Sequence, residues 1–116
     1  PQSVAQKNLK KYSNIIRLEA RNVFGVDRAH KTLDILHIDL GNDGEILEKI
    51  IPRWIDKTSQ LIIIEGGSKQ RDKVDWMIKF QKLSVRDWLN DFSRIRNDIE
   101  YFTIEPFPSL TIIRKK

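Results

Sequence analysis

Two carboxylates in this chain stand at positions where α/β proteins commonly do chemistry. Asp39 closes the apolar run LDILHID and leads into the polar loop LGNDG, and Glu65 closes LIIIE and leads into Gly66, Gly67 and Ser68. A carboxylate at the carboxyl end of a buried parallel strand faces the crevice in which open sheets bind their ligands. There Asp39 can orient a hydroxyl or amine nucleophile for an in-line transfer, chemistry that depends more on positioning than on proton movement. The plainer reading is that Asp39 caps the following loop through Asx-type hydrogen bonds. Glu65 carries the same two readings, its plain one being a solvated strand end. His37 shares a face with Asp39 if the strand alternates and could serve as a base, although a lone histidine in a strand is more often a packed, hydrogen-bonded core residue.

The residues around these carboxylates are less specific. Gly41, Gly44, Gly66 and Gly67 permit close backbone approach to a ligand, but serve ordinary turns equally well. Lys69, Gln70 and Arg71 could contact an anionic substrate; a solvated first helical turn is the commoner meaning of such a cluster. Trp54, Trp76 and Trp88 fall on helical stretches and read as core packing. Phe107, between two prolines, reads as an exposed aromatic at a hairpin tip.

The elements that must position these residues alternate along the chain. Residues 5–11 read as the end of a basic surface helix and 15–19 as a short β-rich run, while 21–31 is ambiguous, with Gly25 as a breaker. Residues 33–39 hold too many consecutive apolar side chains for a half-exposed strand and are expected inside the sheet as a buried parallel one. Asn42, Asp43 and Gly44 offer a turn and a helix N-cap. Ile46, Leu47, Ile50, Ile51, Trp54 and Ile55 then recur at helical spacing, and Pro52 must kink or restart that helix, because it lacks the amide hydrogen of the ladder. Residues 61–65 form a second buried strand. A weak helical pattern covers 72–81. Ser84 with Asp87 resembles a capping box opening a clearer helix that buries Val85, Trp88, Leu89, Phe92 and Ile95. The β segments 101–105 and 109–114 are joined too briefly for a crossover helix and must pair antiparallel. The fold class is therefore α/β, an open, mainly parallel sheet with a C-terminal antiparallel hairpin, in one domain over residues 1–116.

Composition excludes several functions. The 116 residues suffice for one modest core, and 40% hydrophobic with 32% charged residues is the balance of a soluble globular protein. Zero cysteines remove disulfides, thiolate zinc sites and cysteine nucleophiles, and two histidines cannot form a histidine-rich metal site. No apolar run is long enough to span a membrane, and residues 1–12 do not form a signal peptide, so the expected compartment is the cytoplasm. The net charge of +5 admits a nucleic-acid partner, but the bases are scattered among acids and do not favour one.

The stretch DILHIDLGNDGEILEKIIPRW, followed by LIIIEGG, resembles the second half of a class I S-adenosylmethionine-dependent methyltransferase with a Rossmann-like sheet, closest in kind to the small-molecule O-methyltransferases. The resemblance makes 5–12 the tail of the helix after the second strand, 15–19 the third strand, 33–39 the fourth and 61–65 the fifth. It implies methyl transfer to a small-molecule acceptor, with S-adenosylmethionine as the donor. Asp39, Asn42 and Glu65 would form the catalytic side, and Glu19, Asp39, Leu40 and Gly41 the cofactor side. Asn42 stands where related sequences often carry a histidine and cannot act as a base. Paired acids at the end of the fifth strand have become Glu65 and Gly66, so no metal site carries over.

No G-x-G-x-x-G occurs in the sequence, and the family's first two strands have no counterpart. Either the sequence begins partway through a longer protein or the fold is rebuilt without that half. An open apolar strand edge, which invites aggregation, favours the first. The alternative function is a degenerate, non-catalytic methyltransferase-like module binding RNA or a protein partner. A flavodoxin-like or receiver-like domain is a weaker third reading.

Overall fold

The computed structural model describes residues 2–25 and 32–116. Most of the ambiguous stretch 21–31, namely 26–31, lies outside the described residues. The chain runs through α1 (Gln2–Leu9), a 3-10 turn (Lys10–Tyr12), β1 (Leu33–Ile38), α2 (Gly44–Trp54), β2 (Thr58–Glu65), a second 3-10 turn (Arg71–Lys73), α3 (Asp75–Lys79), α4 (Val85–Ile95), β3 (Ile99–Ile104) and β4 (Leu110–Lys115).

The strands form one open mixed sheet in the order β1-β2-β4-β3. β1 and β2 are parallel, with His37 beside Ile63 and Ile38 beside Ile64 after a register shift between Leu33 and Ile35. β4 runs antiparallel to both β2 and β3, setting Leu110 beside Glu65 on one side and beside Ile104 on the other. The terminal hairpin and the α/β architecture are as the sequence predicts.

One face of the sheet holds the core. Ile38, Ile62, Ile64, Ile99 and Ile113 pack with Leu47, Ile50, Ile51 and Trp54 of α2 and with Val85, Trp88, Leu89 and Phe92 of α4. The stripe expected on α2 is thus the buried one, and the helix continues through Pro52, which falls in its last turn. That late position limits the loss, because few ladder bonds remain beyond it. On α4 the expectation holds except at Ile95, the last residue of the helix, which is 80% exposed. The weak pattern over 72–81 resolves into the short 3-10 turn and α3.

Two expectations are corrected. β1 is an edge strand among the described residues rather than an interior one, and Asp34, Ile35 and His37 on it are exposed. Its apolar run reflects the residue types a sheet position accepts, whereas burial depends on what covers each face: β1 is hydrogen-bonded on the β2 side alone, and Ile35 and His37 stand on the sheet face opposite the core. Residues 15–19 form no strand: they lie in a turn and irregular backbone and are exposed. β propensity without a ladder partner leaves backbone groups to water, and no described strand pairs with this segment. The face of the sheet opposite the core is also apolar, since Ile35, Phe102, Ile104 and Leu110 are all exposed there.

Candidate functional site

The loops leaving the carboxyl ends of β1 and β2 are tied together by one buried side chain. Asn42 has no solvent exposure, and its Nδ2 donates to the carbonyl of Ile38 at 3.2 Å and to that of Glu65 at 3.0 Å. Its role is therefore to hold the two strand ends at a fixed spacing. Asp43, also buried, caps α2 by accepting from the Ile46 amide at 2.8 Å, with Lys82 Nζ 3.7 Å from its other oxygen. The expected turn and N-cap are both present.

Arg71 builds the floor beside Asn42. Its side chain is only 5% exposed, and Nε lies 3.4 Å from Glu65 Oε1 while Nη2 donates to the Asn42 carbonyl at 3.2 Å. The guanidinium sits over the Trp76 ring, 5.2 Å from its centre, a cation–π contact that suits a weakly hydrated planar cation. Arg71 Nη1 and Asn42 Oδ1 are buried with no hydrogen-bond partner among the described residues. Arg71 is thus not the solvated helical residue the cluster suggested, because a carboxylate, a carbonyl and an aromatic face replace its water; Lys69 and Gln70 remain exposed. Trp54 and Trp88 are core residues, while Trp76 is half-buried under Arg71.

The glycines after β2 serve the hairpin. Gly66 and Gly67 have φ of +106° and +109°, and a Cβ on Gly67 would lie 2.1 Å from Thr111 Oγ1 and 2.8 Å from Thr103 Oγ1. Thr111 Oγ1 donates to the Gly66 carbonyl at 2.7 Å, and the Gly66 amide donates to the Ser109 carbonyl at 3.0 Å. The close approach that glycine permits here is to the chain's own threonines.

The candidate residues divide between two concavities. Asp39 and Leu40 line a cavity of about 290 Å³ with Val23, Leu36, Ile50 and Trp54. Glu65 lines a second, of about 350 Å³, whose walls are Ile104, Glu105, Pro106, Pro108 and Leu110 of the hairpin. His37 borders the first cavity and is exposed rather than packed in the core, since it stands on the sheet face opposite the core. Glu19 lines neither cavity and is engaged by Arg17 and Arg21, each at 2.7 Å. Gly41 is exposed with open space around it. The structure therefore brings Asn42 and Glu65 together and sets Asp39 and Leu40 on a separate wall. Phe107 is half exposed at the hairpin tip, as expected.

Sequence reasoning missed the anchoring role of Arg71 and the part played by Asp72. Asp72 accepts from the amides of Val85 at 2.8 Å and Arg86 at 3.1 Å and from the Ser84 hydroxyl at 2.9 Å, so it caps α4 jointly with Ser84. The available signal was an Arg-Asp pair placed between a strand end and a capping serine. Among the described residues no group of three or more His, Cys, Asp or Glu side chains is arranged to hold a metal ion. No described helix is long and apolar enough to cross a membrane.

Neither a protein-family model nor a curated protein sequence matches the chain. Among solved structures, the fold is similar to that of a Staphylococcus aureus protein designated a caffeoyl-CoA O-methyltransferase, at 19% identity and a TM-score of 0.64. The similarity covers 98% of this chain and 59% of that one, so this chain spans under two thirds of that protein's length. The chain shares with that structure an open, Rossmann-like α/β fold.

Proposed function

We propose that residues 1–116 are the C-terminal portion of a cytoplasmic, S-adenosylmethionine-dependent methyltransferase that acts on a small-molecule acceptor. The observation that carries this reading is the strand order β1-β2-β4-β3 with its crevice loops at the carboxyl ends of β1 and β2, in a fold similar to that of a methyltransferase. In such a sheet the crevice at the strand ends is the expected ligand site.

The residues present fit the methyl donor only as one wall. Asp39 and Leu40 bound a largely apolar cavity, but among the described residues no glycine lines it and Glu19 is paired elsewhere. The remaining contacts would come from polypeptide that pairs with the free edge of β1 and covers the apolar outer face. The roles left to this chain are positional: Asn42 fixes the spacing of the two loops, and Asp39 and Glu65 present carboxylates on either side of that clamp. Transfer of a methyl group between a bound donor and acceptor depends on such alignment.

Calorimetric titration with S-adenosylmethionine tests the proposal. Saturable binding is expected with the full-length protein and much weaker binding with isolated residues 1–116; failure of the full-length protein to bind overturns it. The lack of a cradle in this chain favours, as a second reading, a non-catalytic module. If RNA were its partner, affinity would fall steeply with added salt.

A further inference from the structure

We infer that the concavity between Glu65 and the β3–β4 hairpin is a subsite for an amine with an apolar body. Its position comes from the register. Glu65, Leu110 and Ile104 stand side by side across β2, β4 and β3, in a row at the carboxyl end of β2. The hairpin residues Pro106 and Pro108 flank that row, and together they line an open concavity of about 350 Å³, within the volume range of small-ligand sites.

The chemistry of the lining selects the ligand. Ile104, Leu110 and the two prolines offer apolar contact and Ser109 a polar one, while among the described residues of the wall Glu65 and Glu105 carry charge, both acids; Glu105 also borders the neighbouring concavity that holds Arg86. Arg71 reaches Oε1 of Glu65 at 3.4 Å, and Oε2 has no hydrogen-bond partner among the described residues. Glu105 makes no side-chain hydrogen bond or ion pair among them either. A carboxylate accepts hydrogen bonds and donates none, so these oxygens call for N–H or O–H donors. Arg71 offsets part of the Glu65 charge, and with Glu105 the wall keeps a net negative charge, which favours a cationic donor and opposes an anionic one.

The site is also held in shape. Glu65 is fixed by Arg71, which is itself fixed by the Asn42 carbonyl and Trp76. The hairpin is tied to the β2 exit through Thr111 to the Gly66 carbonyl and through the Ser68 amide to Ser109 Oγ at 3.3 Å. A wall that needs no reordering lowers the cost of binding. That the amine is the methyl acceptor rests on the methyltransferase reading; that it binds here does not.

Methyl-detected NMR titration of the protein with benzylamine, benzyl alcohol and benzoate at neutral pH and low salt tests the site without any methyl donor. Benzylamine is expected to shift the methyl resonances of Ile104 and Leu110, with benzyl alcohol binding about tenfold more weakly, the difference a charge-assisted hydrogen bond makes, and benzoate not binding. Glu65→Gln should erase most of the preference for the amine, and added salt should weaken it in the unaltered protein. Equal binding of amine and alcohol overturns the inference, as does a preference insensitive to both salt and Glu105→Gln, which stands in should E65Q not fold. Amine binding by a protein that never binds S-adenosylmethionine would leave this subsite standing and remove the methyltransferase reading. Donor binding without amine preference would do the reverse.

Discussion

Arg71 shows how a single side chain can hold a crevice open and rigid. Removing it leaves Glu65 without its cation, the Asn42 carbonyl without its donor and the Trp76 face uncovered. Loss of one partner of a buried charged contact is costly because the other remains desolvated. Here Glu65 is 32% exposed and water can replace part of the contact. Arg71→Met is therefore expected to lower stability by about 1–3 kcal/mol, measured by urea unfolding. Gly67 offers a sharper case at the same scale. An alanine there must accept a positive φ and place Cβ against the hydroxyls of Thr111 and Thr103, which are themselves 2.8 Å apart. Gly67→Ala should cost about 1–3 kcal/mol from backbone strain alone, with further loss from the clash. If the same denaturation experiment showed Gly67→Ala to be neutral, the loop would not be as closely packed against the hairpin as described.

Among the elements, α4 carries the clearest test, because its N-terminus has two caps. Ser84 accepts from the Asp87 amide at 3.0 Å, while Asp72 takes the Val85 and Arg86 amides and the Ser84 hydroxyl. Ser84→Ala is expected to cost about 1 kcal/mol and Asp72→Ala more, about 2 kcal/mol, read from thermal or urea unfolding; the reverse order would place the main cap on Ser84. Ser84 was legible from sequence because capping is a local pattern, and so were the α2 stripe, Asp43 and the hairpin, where short spacing leaves few conformations. Asp72 was not legible, because its partners lie twelve to fourteen residues away and depend on how the loop after β2 folds back. The same limit explains the misplacing of β1 and of residues 15–19. Apolar and β-branched types can be counted, but whether a strand has a neighbour is a property of the whole sheet. In the candidate site, Asp39 and Glu65 were singled out from their place at strand ends, and Asn42 from the turn after β1 and the family resemblance. The Arg71 contact that fixes Glu65 is tertiary and leaves only a charged residue to read.

At the scale of the whole molecule, the end of the sheet away from the crevice is closed by charge. Arg96, past the end of α4, reaches Asp56 and Asp98, each at 2.8 Å, and Lys115 of β4 lies 2.7 Å from Asp56. Hydrogen bonds from Arg96 and then Lys115 lower the Asp56 pKa from 3.8 to about 2, and Arg96 lowers that of Asp98. A carboxyl group depressed in the folded state stabilises it at pH values above its unfolded pKa, and this contribution is lost as pH falls through the folded value. The melting temperature of the unaltered protein should therefore exceed that of Asp56→Asn by a constant margin above about pH 5, shrinking between about pH 4 and pH 2. A margin that persisted at pH 2 would exclude ionisation of Asp56 as its source. At the other end, Asn42 does for β1 and β2 what these charges do for the lower rim, and its two bonds also act as a register key. β2 carries one extra residue opposite β1 between the Leu33 and Ile35 pairings, so the ladder is irregular at its start and is pinned at its far end. The Asn42 bond to the Ile38 carbonyl is local, but the one to the Glu65 carbonyl crosses to β2, and a slip of β2 would take that acceptor away from a donor that water does not reach.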